Sequence, residues 1–259
     1  MSVKILNTKY GINLRQLNLE SKYLESLPDS IGDLINLQQL YLRDNEFSSL
    51  PDSIGNLINL ELLYLFDNKL EKLPDSIGNL INLQILFSSS NKLSSLPDSI
   101  GNLINLQELY LQKNKLSSLP DSIGDLINLQ HLNLNNNKLS TLPDSIGNLI
   151  NLKKLYLEEN KLECLPDSFG NLINLKELYL ANNKFSSLPT SVLKIKLALR
   201  IDDTSYQINN LNIEAEILIF SKLEDKLQNL PVSLKEIWIK KGNPDIDHKL
   251  PFNCELKYY

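Results

Sequence analysis

Residues Leu106–Asn128 read LQELYLQKNKLSSLPDSIGDLIN, and the chain on either side restates them almost letter for letter. Asn45, Asn68, Asn91, Asn114, Asn137, Asn160 and Asn183 stand 23 residues apart (68 minus 45), each closing the pattern Leu-x-x-Leu-x-Leu-x-x-Asn. A spelling that returns at a fixed period in the twenties means that each copy is one structural unit. No unit can bury its apolar face alone, so the copies must stack into a solenoid.

Within a copy, Leu106, Leu109 and Leu111 point to one side while Glu108, Tyr110 and Gln112 point to the other. That alternation is a strand. Only about three residues per copy can pair laterally, so the hydrogen bonds of each strand must come from the copies before and after it, in a parallel sheet. The return path opens at Leu119-Pro120. Proline presets φ for a helical turn, Asp121 and Ser122 suit its start, and Gly124 is expected to relieve the backbone a few residues on. Successive strands joined by right-handed crossovers then curve the stack into a horseshoe, with the strands on the concave side and short helical turns on the convex side. The asparagine that closes each strand is expected to be structural, its amide bonding backbone groups of its own and neighbouring coils.

The spelling resembles the 23-residue leucine-rich repeats with a Leu-Pro-x-x-Ile-Gly-x-Leu consensus, found in plant intracellular Ras-group-related, Roco-type and many bacterial repeat proteins. The resemblance covers roughly Leu14 to Leu188. It implies an α/β solenoid and a protein-binding role; several relatives carry a ligase, kinase or GTPase segment beside their repeats, and none is evident here.

One domain is expected over residues 1–259: an N-terminal cap at 1–13, regular repeats at 14–190, and irregular repeats with a C-terminal cap at 191–259. The first coil, Leu14–Lys22, keeps its leucines but has lysine in the asparagine's place. After Pro189 the spelling decays, with Asp203 where a core leucine belongs; KLQNLP at 226–231 and LKEIWIKKGN at 234–243 restore parts of it. Two or three irregular strands are expected there, closed by Pro244–Tyr259.

Composition narrows the function. A net charge of −5 argues against nucleic-acid binding. Cys164 and Cys254 make no disulfide framework, no apolar run approaches a membrane helix, and the start MSVKILNTKYGIN lacks a signal-peptide core. The expected setting is cytoplasmic and the expected state a monomer. His131 and His248 are the only histidines, the cysteines lack metal-ligand spacing, and the glycines sit singly rather than in a phosphate loop. No enzyme activity, cofactor or metal is expected.

The repeats supply their own background for spotting diversified positions. LPDSIGNLIN hardly changes from coil to coil, whereas the outward strand positions do. One column reads Gln39, Leu62, Ile85, Glu108, His131, Lys154, Glu177; the next Arg43, Phe66, Ser89, Gln112, Asn135, Glu158, Ala181; a third Asp44, Asp67, Ser90, Lys113, Asn136, Glu159, Asn182. Had exposed positions merely drifted, the convex Asp and Ser, read as solvent-facing, would have drifted too. Between these columns Tyr41, Tyr64, Phe87, Tyr110, Tyr156 and Tyr179 form an aromatic ladder broken at Asn133, with Trp238 as an extension. Rings on such a face either stack on one another or anchor a partner. Leu62, Phe66, Ile85 and Phe87 gather large apolar groups on two adjacent coils, the mark of an interaction site.

The candidate protein-binding residues are therefore Tyr41, Arg43, Leu62, Tyr64, Phe66, Ile85, Phe87, Tyr110, Tyr156 and Tyr179. The alternatives are an effector exported without a leader, and a polyanion or glycan binder acting through Lys69, Lys92, Lys115, Lys138, Lys161 and Lys184. Ser88, inward where other coils have leucine, predicts an underpacked or hydrated spot.

Overall fold

The computed structural model describes residues 2–5, 8–185, 198–201, 217–220, 235–239 and 253–258. Strands β1 (Ser2–Ile5) and β2 (Thr8–Gly11) form an antiparallel hairpin, and Val3 and Ile5 join the buried core at its end. Then come β3 (Gln16–Asn18), β4 (Gln39–Tyr41), β5 (Leu62–Tyr64), β6 (Ile85–Phe87), β7 (Glu108–Tyr110), β8 (His131–Asn133), β9 (Lys154–Tyr156) and β10 (Glu177–Tyr179). Each pairs in parallel with the next, in register at the repeat period: Leu62 faces Ile85, and Ile85 faces Glu108. Four more strands continue the sheet: β11 (Ala198–Ile201), β12 (Ile217–Phe220), β13 (Glu236–Ile239) and β14 (Glu255–Tyr258). The result is a right-handed horseshoe solenoid with a parallel concave sheet.

The return path of each regular coil is a 3-10 helix, as at Asp121–Asp125. Pro120 stands just outside it with extended backbone, φ −69° and ψ 154°, so it sets the entry to the turn rather than the first helical residue. The aspartates begin these turns, where a carboxylate meets free backbone N–H groups. Gly124 serves packing rather than backbone freedom: a Cβ there would lie 2.4 Å from the Ser145 carbonyl oxygen of the following coil. The turns can stack this closely only where a side chain is missing.

Between sheet and turns lies one column of aliphatic core per inward position. Leu106, Leu109, Leu111, Leu116, Ile123 and Leu126 are fully buried, and Leu119 nearly so. Asn114 lies at the edge of this core, 7 % exposed. Its Nδ2 donates to the carbonyls of Ser88 and Leu111, each at 2.9 Å, and its Oδ1 accepts from the Leu93 N–H at 3.0 Å. The same arrangement recurs along the asparagine column.

A second amide ladder runs along the opposite edge of the sheet: Asn59, Asn82, Asn105, Asn128, Asn151 and Asn174 each donate Nδ2 to an isoleucine carbonyl of the preceding coil, at 2.8–2.9 Å. These are the closing letters of LIN, whose constancy has this structural cause.

The irregular end departs from expectation. Ala198, Ile217, Glu236 and Glu255 are successive register partners, so the coil shortens to a 19-residue period. The segment from Pro244 therefore contributes strand β14 to the sheet rather than only a cover for it. Asp203, the KLQNLP segment and the side chain of Trp238 lie outside the described residues. The backbone of Trp238 pairs with Ile219 and Lys257, in the register that continues the tyrosine column.

Candidate protein-binding face

Strands β4 to β10 are only three residues long, and in each the central residue is buried while the two flanking residues are partly exposed. Leu62 and Tyr64, Ile85 and Phe87 therefore stand on the open side of the sheet. Phe66 follows one position beyond the buried Leu65, also partly exposed, and Arg43 occupies its place in the preceding coil. The guanidinium of Arg43 lies over the Phe66 ring, 4.8 Å from its centroid, a cation-π contact that holds two neighbouring coils together at the surface.

The tyrosine column is two stacks. Tyr41, Tyr64, Phe87 and Tyr110 succeed one another at centroid spacings of 5.0, 4.6 and 4.3 Å, their planes within 16° of parallel. Tyr156 and Tyr179 form a second stack at 4.5 Å. The hydroxyls of Tyr41, Tyr110 and Tyr179 donate to Gln39, Glu108 and Glu177, two residues earlier on the same strands. Tyr64 and Tyr156 have Leu62 and Lys154 in that place, neither of which can accept. Burial raises the pKa of Tyr64, Tyr110 and Tyr156; at Tyr110 the hydrogen bond to Glu108 adds to it.

Toward the later coils the face becomes charged and internally paired. Lys154 Nζ lies 2.8 Å from Glu177 Oε1, which also raises the lysine pKa, and His131 Nδ1 lies 3.7 Å from Glu108 Oε1.

Several sequence expectations need correction. Ser89 and Ala181, read as outward, are buried at 4 % and 1 %; at Ser89 the small side chain sinks between the longer Phe66 and Gln112 of the adjoining coils. The column of Asp44, Asp67, Ser90, Lys113, Asn136, Glu159 and Asn182 adopts left-handed backbone, φ 52–60°. Its preference for Asp and Asn thus follows from the turn. The convex serines are not solvent-facing: the hydroxyls of Ser53, Ser76, Ser99, Ser122 and Ser145 are buried, so their constancy reflects packing. The aspartates beside them are exposed, and they still provide the background of unvarying exposed positions.

Two surface features escaped the sequence reading because the isoleucines and asparagines that build them never vary. Ile35, Ile58, Ile81, Ile104, Ile127 and Ile150 are about half exposed in a continuous row. Beside the second amide ladder runs a groove of about 430 Å³ lined by Gln38, Asn59, Glu61, Asn82, Gln84, Asn105 and Gln107. A larger depression of about 740 Å³ lies between Leu50–Asp52 and Leu73–Ser76, on the return side and away from the diversified columns.

A family model described as a leucine-rich repeat region matches residues 7–96, 54–138 and 89–248. The chain belongs to the leucine-rich repeat family. Among solved structures, this leucine-rich repeat chain is similar to a Leptospira interrogans leucine-rich repeat protein, 29% identical with a TM-score of 0.61, over 95% of this chain and 79% of that one. The plant peptide hormone receptor RGFR1, solved in complex with RGF2, is 30% identical with a TM-score of 0.66; 95% of this chain covers 45% of the receptor chain. Internalin C2 of Listeria monocytogenes is 25% identical with a TM-score of 0.59, over 71% of this chain and 80% of that one. No curated protein sequence matches the chain. Leucine-rich repeat folds serve generally as protein-interaction scaffolds. Among the described residues no helix is long and apolar enough to cross a membrane, and no group of three or more His, Cys, Asp or Glu is placed to hold a metal ion.

Proposed function

We propose that the chain is a non-catalytic scaffold that captures a protein partner on its concave face, centred on Leu62, Phe66, Ile85 and Phe87 and extended by Tyr41, Arg43, Tyr64, Tyr110, Tyr156 and Tyr179. The observation that carries this reading is the contrast between two exposed surfaces of one repeat. The convex aspartates and the exposed isoleucines do not change over many coils, while the partly exposed sheet column from Gln39 through Leu62 and Ile85 to Glu177 changes at every coil. Large apolar and aromatic groups on a rigid sheet lose little conformational freedom on binding, which suits them as anchors. The similarity to a receptor solved with its peptide hormone supports the same use of the fold. The two unpaired thiols, one of them exposed, fit a reducing, cytoplasmic setting.

The test is affinity capture with the double variant Leu62→Ser/Phe66→Ser. Burying both side chains against a partner removes apolar area worth ~25 cal/mol per Å². The variant should lose capture by about tenfold or more, ~1.4 kcal/mol, with an unchanged circular dichroism spectrum. Normal capture by this variant, with loss in variants of the lysine column or the convex face, would place the partner elsewhere.

A further inference from the structure

The two aromatic stacks are separated by one coil. Tyr110 ends the first and Tyr156 begins the second; between them, in register, stands Asn133. At ~4.8 Å per strand the two rings are held ~9.6 Å apart, whereas rings on consecutive coils of this column stack at 4.3–5.0 Å. The gap has the width of one further aromatic ring, with the usual stacking distance on each side.

The base of the gap is fixed. Asn133 Oδ1 accepts from the Asn135 N–H at 3.1 Å, which draws its short side chain along its own strand. Asn135 in turn is tied to the next coil, its Oδ1 accepting from the Glu158 N–H at 2.7 Å and its Nδ2 donating to Glu158 Oε2 at 2.9 Å. The wall at Tyr110 is held by its hydroxyl's bond to Glu108, and the wall at Tyr156 is backed by Tyr179. Asn133 and Tyr156 are only partly buried, so the gap opens to the concave face. Carboxylates outnumber cations around it: Glu108, Glu158 and Glu159 stand on its sides, against Lys113 in Glu159's column on the coil of Tyr110, while Lys154 is paired with Glu177.

We infer that the space over Asn133, between the rings of Tyr110 and Tyr156, is a slot that receives the planar side chain of an aromatic residue from a basic segment of a protein partner. Stacking on both faces completes the ladder through all its coils, and the polar edge of an indole or phenol meets the Asn133 amide. The carboxylates select lysine or arginine beside the inserted residue. This inference rests on the concave face being the partner-binding face, and it adds a second anchor point, distinct from the apolar cluster around Leu62 and Phe66.

The experiment uses the full chain with ring-labelled tyrosine, observed by NMR during titration with tryptophanamide. The rings of Tyr110 and Tyr156 should shift upfield saturably at roughly millimolar concentration, while those of Tyr41 and Tyr64 stay in place. N-acetyltryptophan, which carries a negative charge instead of a positive one, should bind about threefold or more weakly, and leucinamide should shift nothing. Asn133→Tyr fills the slot with the column's own residue and should abolish the shifts while the fold is kept. If that variant does not fold, Tyr156→Ala removes one wall and should weaken binding about fivefold or more. Shifts that persist in folded Asn133→Tyr, equal shifts with leucinamide, or none in the native chain would overturn the slot. The variant Leu62→Ser/Phe66→Ser should keep the tryptophanamide shifts whatever it does to partner capture, so a failure of the apolar cluster is distinguishable from a failure of the slot.

Discussion

Asn114 reaches back across the coil boundary to donate its Nδ2 proton to the Ser88 carbonyl oxygen at 2.9 Å. The bond joins one coil to its predecessor through a side chain, alongside the backbone ladder of the sheet. It also satisfies a carbonyl that a three-residue strand leaves without a sheet partner. Replacing Asn114 by alanine strands the Leu93 N–H in a buried edge and leaves the Ser88 and Leu111 carbonyls with one amide donor each, from Asn91 and Asn137. The expected cost is ~1–3 kcal/mol, read as a lower urea midpoint with an unchanged slope. An unchanged midpoint would refute the structural role of the asparagine column.

Ser88 is fully buried, and its Oγ has no hydrogen-bond partner in the protein. A hydroxyl in that position carries a desolvation cost with nothing to offset it. Ser88→Ala removes the hydroxyl without adding volume, so thermal unfolding should show a gain of ~1 kcal/mol. A loss of stability would mean that the hydroxyl makes a bond in solution.

Gly124 faces the Ser145 carbonyl oxygen so closely that any Cβ must displace the following coil. Gly124→Ala should destabilise by ~1–3 kcal/mol, as overpacking of a closed interior does. Gly11, around whose position nothing lies within 4 Å of an added Cβ, is the control. Equal melting temperatures for the two alanine variants would show that the turns stack less tightly than described.

The hydroxyls of Tyr64, Tyr110 and Tyr156 ionise less readily in the folded chain than in the unfolded one, chiefly through burial. Their contribution to stability is whole below pH 10.0, the ordinary tyrosine value, and is lost as the pH rises from there through the higher folded-state values. Alkaline unfolding should therefore be less steep in the triple Tyr→Phe variant than in the native chain. Titration profiles that superimpose would show that these hydroxyls ionise alike in both states.

The sequence alone determined everything that depends on a residue's place within its own repeat. The 23-residue period, the inward leucines, the parallel sheet and the structural asparagines follow from alternation and spacing, because every coil solves the same packing problem against a copy of itself. What only the tertiary structure decided depends on distances between coils. Ser89 is buried because of the side chains on either side of it, and the hydroxyls of the convex serines because the turns stack closely at glycine. The left-handed column looked like diversity in the sequence and is backbone geometry in the fold. The half-exposed isoleucines and the second amide ladder were invisible as functional signals because constancy reads the same for a surface row as for a core. The shift to a 19-residue period after residue 198 was hidden too, since the shorter coils keep the strand register and drop the letters by which the longer ones are recognised. The interruption at Asn133 was plain as one polar letter in an aromatic column. That it leaves a ring-wide space between Tyr110 and Tyr156 is a fact of coil spacing, set by backbone hydrogen bonds along the whole sheet rather than by any residue at the site.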